Sequence, residues 1–271
     1  MQNAESRVLI MEMTRAEKKT RFFLIDEYRG FVLINMIVYH AIWDCVYIFG
    51  YNWAWFRSDG AFLWQQAICW SFILVSGFCW QMSRHALRRG AIVFGAGIVI
   101  TLATLIFMPD SRVLFGVLTL IGSSMLLMTV CDKVFRKINP CLGAVASFLF
   151  FLLVYPVNDG YLGIGSVKVV ELPGELYSNM LTTYLGFPEP GFWSTDYFSI
   201  LPWFFLYATG YFLYSAYSSL KTSKLGENIA VFLSSSICPP IGWIGRHSLI
   251  IYMLHQPIVY GALHLLTSVN S

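Results

Sequence analysis

The stretch Asp26–Tyr47, DEYRGFVLINMIVYHAIWDCVY, reads as a membrane-spanning helix. From Phe31 onward it is overwhelmingly apolar, and about twenty such residues suffice to cross the hydrocarbon of a bilayer. It nevertheless carries charge. At about 100° per residue, Asp26, Arg29, His40 and Asp44 fall within roughly a 60° arc, while Asn35 projects from the opposite side. An unpaired ionisable group at the centre of a bilayer costs roughly 2.5 kcal/mol or more. The stripe is therefore expected to face protein or a water-filled cavity, not lipid.

The rest of the chain repeats the apolar pattern. Hydrophobic residues make up 57% of the 271 and charged residues only 12%, against about 25% charged in an average soluble domain. This excludes an ordinary soluble protein and predicts an all-α polytopic membrane protein. Runs at 30–49, 61–82, 90–108, 113–131, 141–156, 197–217 and 246–266 give a bundle of about seven transmembrane helices. The apolar run 229–244 is interrupted by Pro239 and Pro240, which suits a short re-entrant or interfacial segment better than a straight span.

Lys and Arg set the expected orientation. Arg7, Arg15, Lys18, Lys19, Arg21, Arg29, Arg84, Arg88, Arg89, Lys133, Arg136, Lys137, Lys221, Lys224 and Arg246 fall on one side, and only Arg57, Arg112 and Lys168 on the other. The positive-inside rule then puts the N-terminus in the cytoplasm and the C-terminus outside, in the plasma membrane. The net charge of +3 follows from this topology and gives no reason to invoke nucleic acid. The first 22 residues read as a cytoplasmic tail, and 23–267 as a single transmembrane domain. Six cysteines without a C-x-x-C pair read as core thiols, not as disulfides or metal ligands.

Two spans carry chemistry. Counting about 1.5 Å per residue from Gly30, His40 lies near the midplane, and Asp44 one turn on is placed to meet it. This is either a buried pair that fixes helix packing or a general base oriented by a carboxylate. In the last span, WIGRHSLIIYMLHQPIVY, His255 reaches the same depth counted from Arg246, and Pro257 beside it frees backbone carbonyls. At the cytoplasmic end of the second hairpin, Arg84, Arg88 and Arg89 mark topology and could also grip phosphates. The long external segment 157–196, between spans five and six, reads as a folded cap. Its aromatic faces and acids suit a polar, amino-bearing sugar, with Asp196 and Trp203 as candidate contacts, or form a plain cover.

DEYRGFVLINMIVYH, RVLFGVLTLIG, LGFPEPGFWSTDYFSILPWF and GRHSLIIYMLHQP occur in the same order as in the bacterial branch of heparan-alpha-glucosaminide N-acetyltransferase-like membrane proteins, which the chain resembles from about Phe23 to Leu266. That branch belongs to the wider transmembrane acyltransferase superfamily. The resemblance implies an enzyme that takes an acetyl group from cytosolic acetyl-CoA, as donor substrate and without a metal, and passes it to a carbohydrate across the membrane. Arg29 and Arg246, with Arg84 and Arg88, would then hold the donor; His40, supported by Asp44, would act as base; and His255 would orient a substrate or the oxyanion. The chain departs from the family where lysosomal members commonly carry Asn at the position of His40 and a later His where Tyr51 and Asn52 stand here. Thr119 likewise stands where His or Gln is frequent. The competing reading is a proton-coupled transporter or flippase using the same His and Asp. Homo-oligomerisation is left open.

Overall fold

A computed structural model describes residues 21–269. The expected N-terminal tail, apart from its last two residues, lies outside the described residues. Helix α1 spans Phe23–Tyr47, α2 Asp59–Trp80, α3 Ala86–Phe107, α4 Val117–Phe135 and α5 Pro140–Val154. After the cap come α7, Ile200–Ser219, then α8, Lys224–Ser234, α9, Pro239–Arg246, and α10, Ser248–Val269. Helices α1 to α4, α10, and α5 together with its 3-10 extension to Asp159 are the six described elements long and apolar enough to cross a membrane.

Helix α7 is equally suited in length, at 20 residues, but its Tyr, Trp, Thr, Ser, Gly and Pro residues make it less hydropathic. Its place in the fold explains this. Leu206, Tyr207 and Tyr211 are wholly buried in the main core with Ile73 of α2, Leu120 and Met128 of α4 and Phe151 of α5. A helix enclosed by protein need not be apolar enough for lipid. Close backbone approach seats it. A Cβ at Gly77 of α2 would lie 2.0 Å from the Tyr207 carbonyl oxygen, and one at Gly210 would lie 2.1 Å from that of Leu74. Glycine on both helices lets the two backbones touch.

A similar contact joins α1 to α9, where a Cβ at Gly30 would lie 2.0 Å from the Ile241 carbonyl oxygen and one at Gly245 1.8 Å from that of Asp26. The interrupted run at 229–244 thus becomes two short helices, α8 and α9, bent by 91°, with Pro239 at the start of α9. Pro is tolerated there because the first helical N–H needs no partner. The buried Glu27 carboxylate anchors the break. It accepts from the Ile237 N–H at 2.9 Å and from the Ser236 hydroxyl.

The cap is folded. A 3-10 turn, Tyr155–Asp159, leads to a hairpin of β1, Tyr161–Ile164, and β2, Val167–Glu171. The strands pair antiparallel across Gly165–Ser166, with Gly165 at φ 59°. A short helix α6, Met180–Leu185, follows, capped by Asn179. The fourth span begins later than expected, at Val117 and not 113, because residues 111–116 pair with the end of the cap. The Thr195 N–H donates to the Arg112 carbonyl at 3.1 Å and the Phe198 N–H to that of Phe115 at 2.9 Å. Phe115 itself is left-handed, φ 55°, a conformation uncommon for a bulky residue.

Gly77→Val is expected to lower the detergent-state thermal midpoint sharply, since overpacking a tight contact costs about 1–3 kcal/mol or more. Gly95→Ala, which meets nothing within 4 Å, should leave the midpoint unchanged in the same melts.

Candidate functional site

The charged stripe of α1 faces α10, and three rungs join the two helices. At the first, an Arg29 Nη2 hydrogen is donated to the Ser248 hydroxyl oxygen at 3.0 Å. At the second, the imidazoles of His40 and His255 lie with ring centroids 5.0 Å apart, tilted by 52°. The equal depths reckoned from residue counts therefore hold. At the third, Gln256 Nε2 donates to both oxygens of Asp44, at 2.8 and 3.0 Å. Asp44 has no exposed surface and His255 only 8%.

Asp44 does not do what the sequence suggested. Among the described residues no hydrogen bond joins it to His40; the Gln256 amide occupies it instead. His255 is oriented by its own helix, through a hydrogen bond between Nδ1 and the Tyr252 carbonyl oxygen. A carbonyl can only accept, so Nδ1 carries the hydrogen and Nε2 the lone pair. That Nε2 is buried and has no hydrogen-bond partner among the described residues, and Gln256 Oε1 is in the same condition.

Below the imidazoles is a cavity of about 120 Å³. Arg29, Ser83, Arg89 and Ser248 line its polar end, and Phe72, Val117, Ile121 and Tyr252 its apolar end. The imidazoles do not line it. Tyr252 does, and its ring centroid lies 5.3 Å from that of His255, so Tyr252 is the partition between cavity and imidazole pair.

The remaining candidates separate. Arg84, Arg88 and Arg89 are all exposed, and of the three only Arg89 lines this cavity. Arg246 lines a different hollow, beside Glu27, Ser236 and Gly242, so it does not join Arg29. Trp203 is 6% exposed and packs against the rings of Phe151, Tyr155 and Phe198, which leaves no face for a sugar. Asp196 turns inward from the cap and accepts the Val117 N–H at 3.1 Å, capping α4 from a distant segment. It lies within electrostatic reach of Cys69 and Tyr252. Among the described residues no three His, Cys, Asp or Glu side chains are grouped as a metal site needs. The sequence reading passed over Gln256 and Tyr252, and it grouped Arg89 with Arg84 and Arg88 without singling it out. The signal for the first was its place between His255 and Pro257 on the same charged seam.

The family model for the heparan-alpha-glucosaminide N-acetyltransferase catalytic region matches residues 21–257. The chain belongs to this family. No curated protein and no solved structure matches it. The matched region includes the whole stripe of α1, the cavity and the part of α10 that carries His255 and Gln256. The protein is thus a membrane protein of the heparan-alpha-glucosaminide N-acetyltransferase family, which supports a membrane acetyltransferase-like function in general.

Burial raises the Asp196 carboxyl from 3.8 to about 6. The folded state then keeps a proton that the unfolded chain releases, so this group's contribution is greatest below about pH 3.8 and falls away as pH rises to about 6. Asp196→Asn keeps an oxygen for the Val117 N–H. Its thermal midpoint should exceed wild type at pH 7 and approach it at pH 4, with melts across that range as the measurement.

Proposed function

We propose that the protein transfers an acetyl group from cytosolic acetyl-CoA to an amine or hydroxyl of an extracytoplasmic sugar or glycan. The observation that carries this reading is the imidazole pair of half-buried His40 and buried His255 beside a cavity lined by Arg29 and Arg89, in a chain of an acetyltransferase family.

In this reading the two guanidinium groups take the phosphates of CoA, for which their planar donor forks are suited. Ser83 and Ser248 add hydroxyl donors. The thioester arm runs along the apolar wall towards Tyr252, whose rotation opens the way to the imidazoles. The acceptor attacks the thioester carbonyl carbon, and His255 Nε2, the orphaned lone pair, takes its proton. The new bond to nitrogen or oxygen forms, the carbon–sulfur bond breaks, and the thiolate recovers the proton from the His255 imidazolium. His40, across the gap, donates to the oxyanion as charge develops there. This moves the base from His40 to His255, because Asp44 is engaged by Gln256 while His255 has its tautomer fixed.

With labelled acetyl-CoA and glucosamine as the probe acceptor, His255→Ala is expected to lower kcat by about 10²–10⁴-fold. Full turnover by that variant would refute the base assignment. Arg29→Ala and Arg89→Ala should each raise the KM for acetyl-CoA about tenfold or more. Arg84→Ala and Arg88→Ala should not change it, and steady-state kinetics on the four variants separates the two pairs.

A further inference from the structure

An ionised carboxylate only accepts hydrogen bonds. Since both oxygens of Asp44 receive the Gln256 side chain, the amide nitrogen of Gln256 must face Asp44 and its carbonyl oxygen must face away. Among the described residues that oxygen, Oε1, is buried without a partner, and so is Nε2 of the preceding His255. Both side chains meet the same stripe of α1, His255 at His40 and Gln256 at Asp44 one turn on. The interface therefore holds two acceptors with nothing to accept from. Folded proteins leave few such groups, and those that persist call for a functional account. The complement of two acceptors on consecutive residues is a group bearing hydrogens, and the attacking amine or hydroxyl of an acetyl acceptor is one.

Resting on the acetyltransferase reading, we infer that Gln256 Oε1 binds the attacking group of the acceptor, and that Asp44 is a positioning residue that fixes which way the Gln256 amide faces. His255 Nε2 takes one hydrogen of the attacking group as the reaction proceeds. Gln256 Oε1 holds a second hydrogen when the group is an amine and directs the lone pair at the thioester. The seam thereby gains a role for Asp44 that does not pass through His40.

The test uses the full chain in detergent, radiolabelled acetyl-CoA and glucosamine. Gln256→Met keeps the side-chain length and removes the acceptor. It is expected to lower kcat/KM for glucosamine by about 10- to 100-fold, while the KM for acetyl-CoA and the thermal shift produced by CoA stay at wild-type values. Asp44→Asn leaves an oxygen for Gln256 but adds a competing donor, so the amide can turn over, and a smaller loss is expected. The double variant should be no worse than Gln256→Met alone, because Asp44 acts only through Gln256; independent structural roles would add. Wild-type acceptor kinetics in Gln256→Met, or additive losses in the double variant, overturn the inference and leave the acetyltransferase reading standing. If Gln256→Met does not fold, Gln256→Asn, too short to meet Asp44 and the acceptor together, should show the same split between acceptor and donor kinetics. Wild-type protein that gives no thermal shift with CoA and releases none from acetyl-CoA overturns the acetyltransferase reading itself.

Discussion

A carboxylate with no exposed surface, set in a helix that crosses hydrocarbon, has to find donors inside the protein. Asp44 finds them on Gln256, 212 residues along the chain. This bond, with Arg29 on Ser248 and His40 against His255, ties the first membrane helix to the last. The rest of the bundle can be seen as the support that holds those two helices at the right separation. Helices α2 to α4 supply the far walls of the cavity, and α9 locks the inner end of α1 through paired glycines.

The support is rigid where the seam is polar. Helix α7 is enclosed by α2, α4 and α5, with tyrosine and phenylalanine side chains filling the space and glycines allowing backbone contact. The cap is hydrogen-bonded into the loop before α4, and Asp196 holds the first turn of that helix. The cap is therefore continuous with the cavity wall: Val117, which Asp196 caps, lines the same hollow as Tyr252.

Much of this was legible in the residues. Charged groups recurring at helical period in an apolar run required an inward stripe, and counting residues from the two cytoplasmic ends placed His40 and His255 at one depth. The partner of Asp44 was not legible. Whether a carboxylate meets an imidazole one turn away or an amide across an interface is decided by side-chain direction and packing, and Gln256 has no charge to draw notice. The arginines fail for a related reason. Arg88 and Arg89 differ by about 100° in azimuth, and the placing of the helix from Ala86 fixes which one borders the cavity. Trp203 looked like a sugar platform because it follows an aromatic external segment, but it opens the most enclosed helix of the bundle, where rings pack on rings. The run 197–217 was legible as a helix, but that protein and not lipid surrounds much of it was not.

The seam between α1 and α10 also bears on biogenesis. A chain made from its N-terminus inserts the helix carrying His40 and Asp44 long before Ser248–Val269 exists. Until that helix is made, those groups lie in the bilayer without their native partners, and the cavity lacks the wall that Ser248 and Tyr252 provide. Docking of that helix supplies the Gln256 donor to Asp44 and brings the two imidazoles together in one event, so a molecule that stops short of Gln256 is left with an unpaired acid in the membrane, where quality control can recognise it.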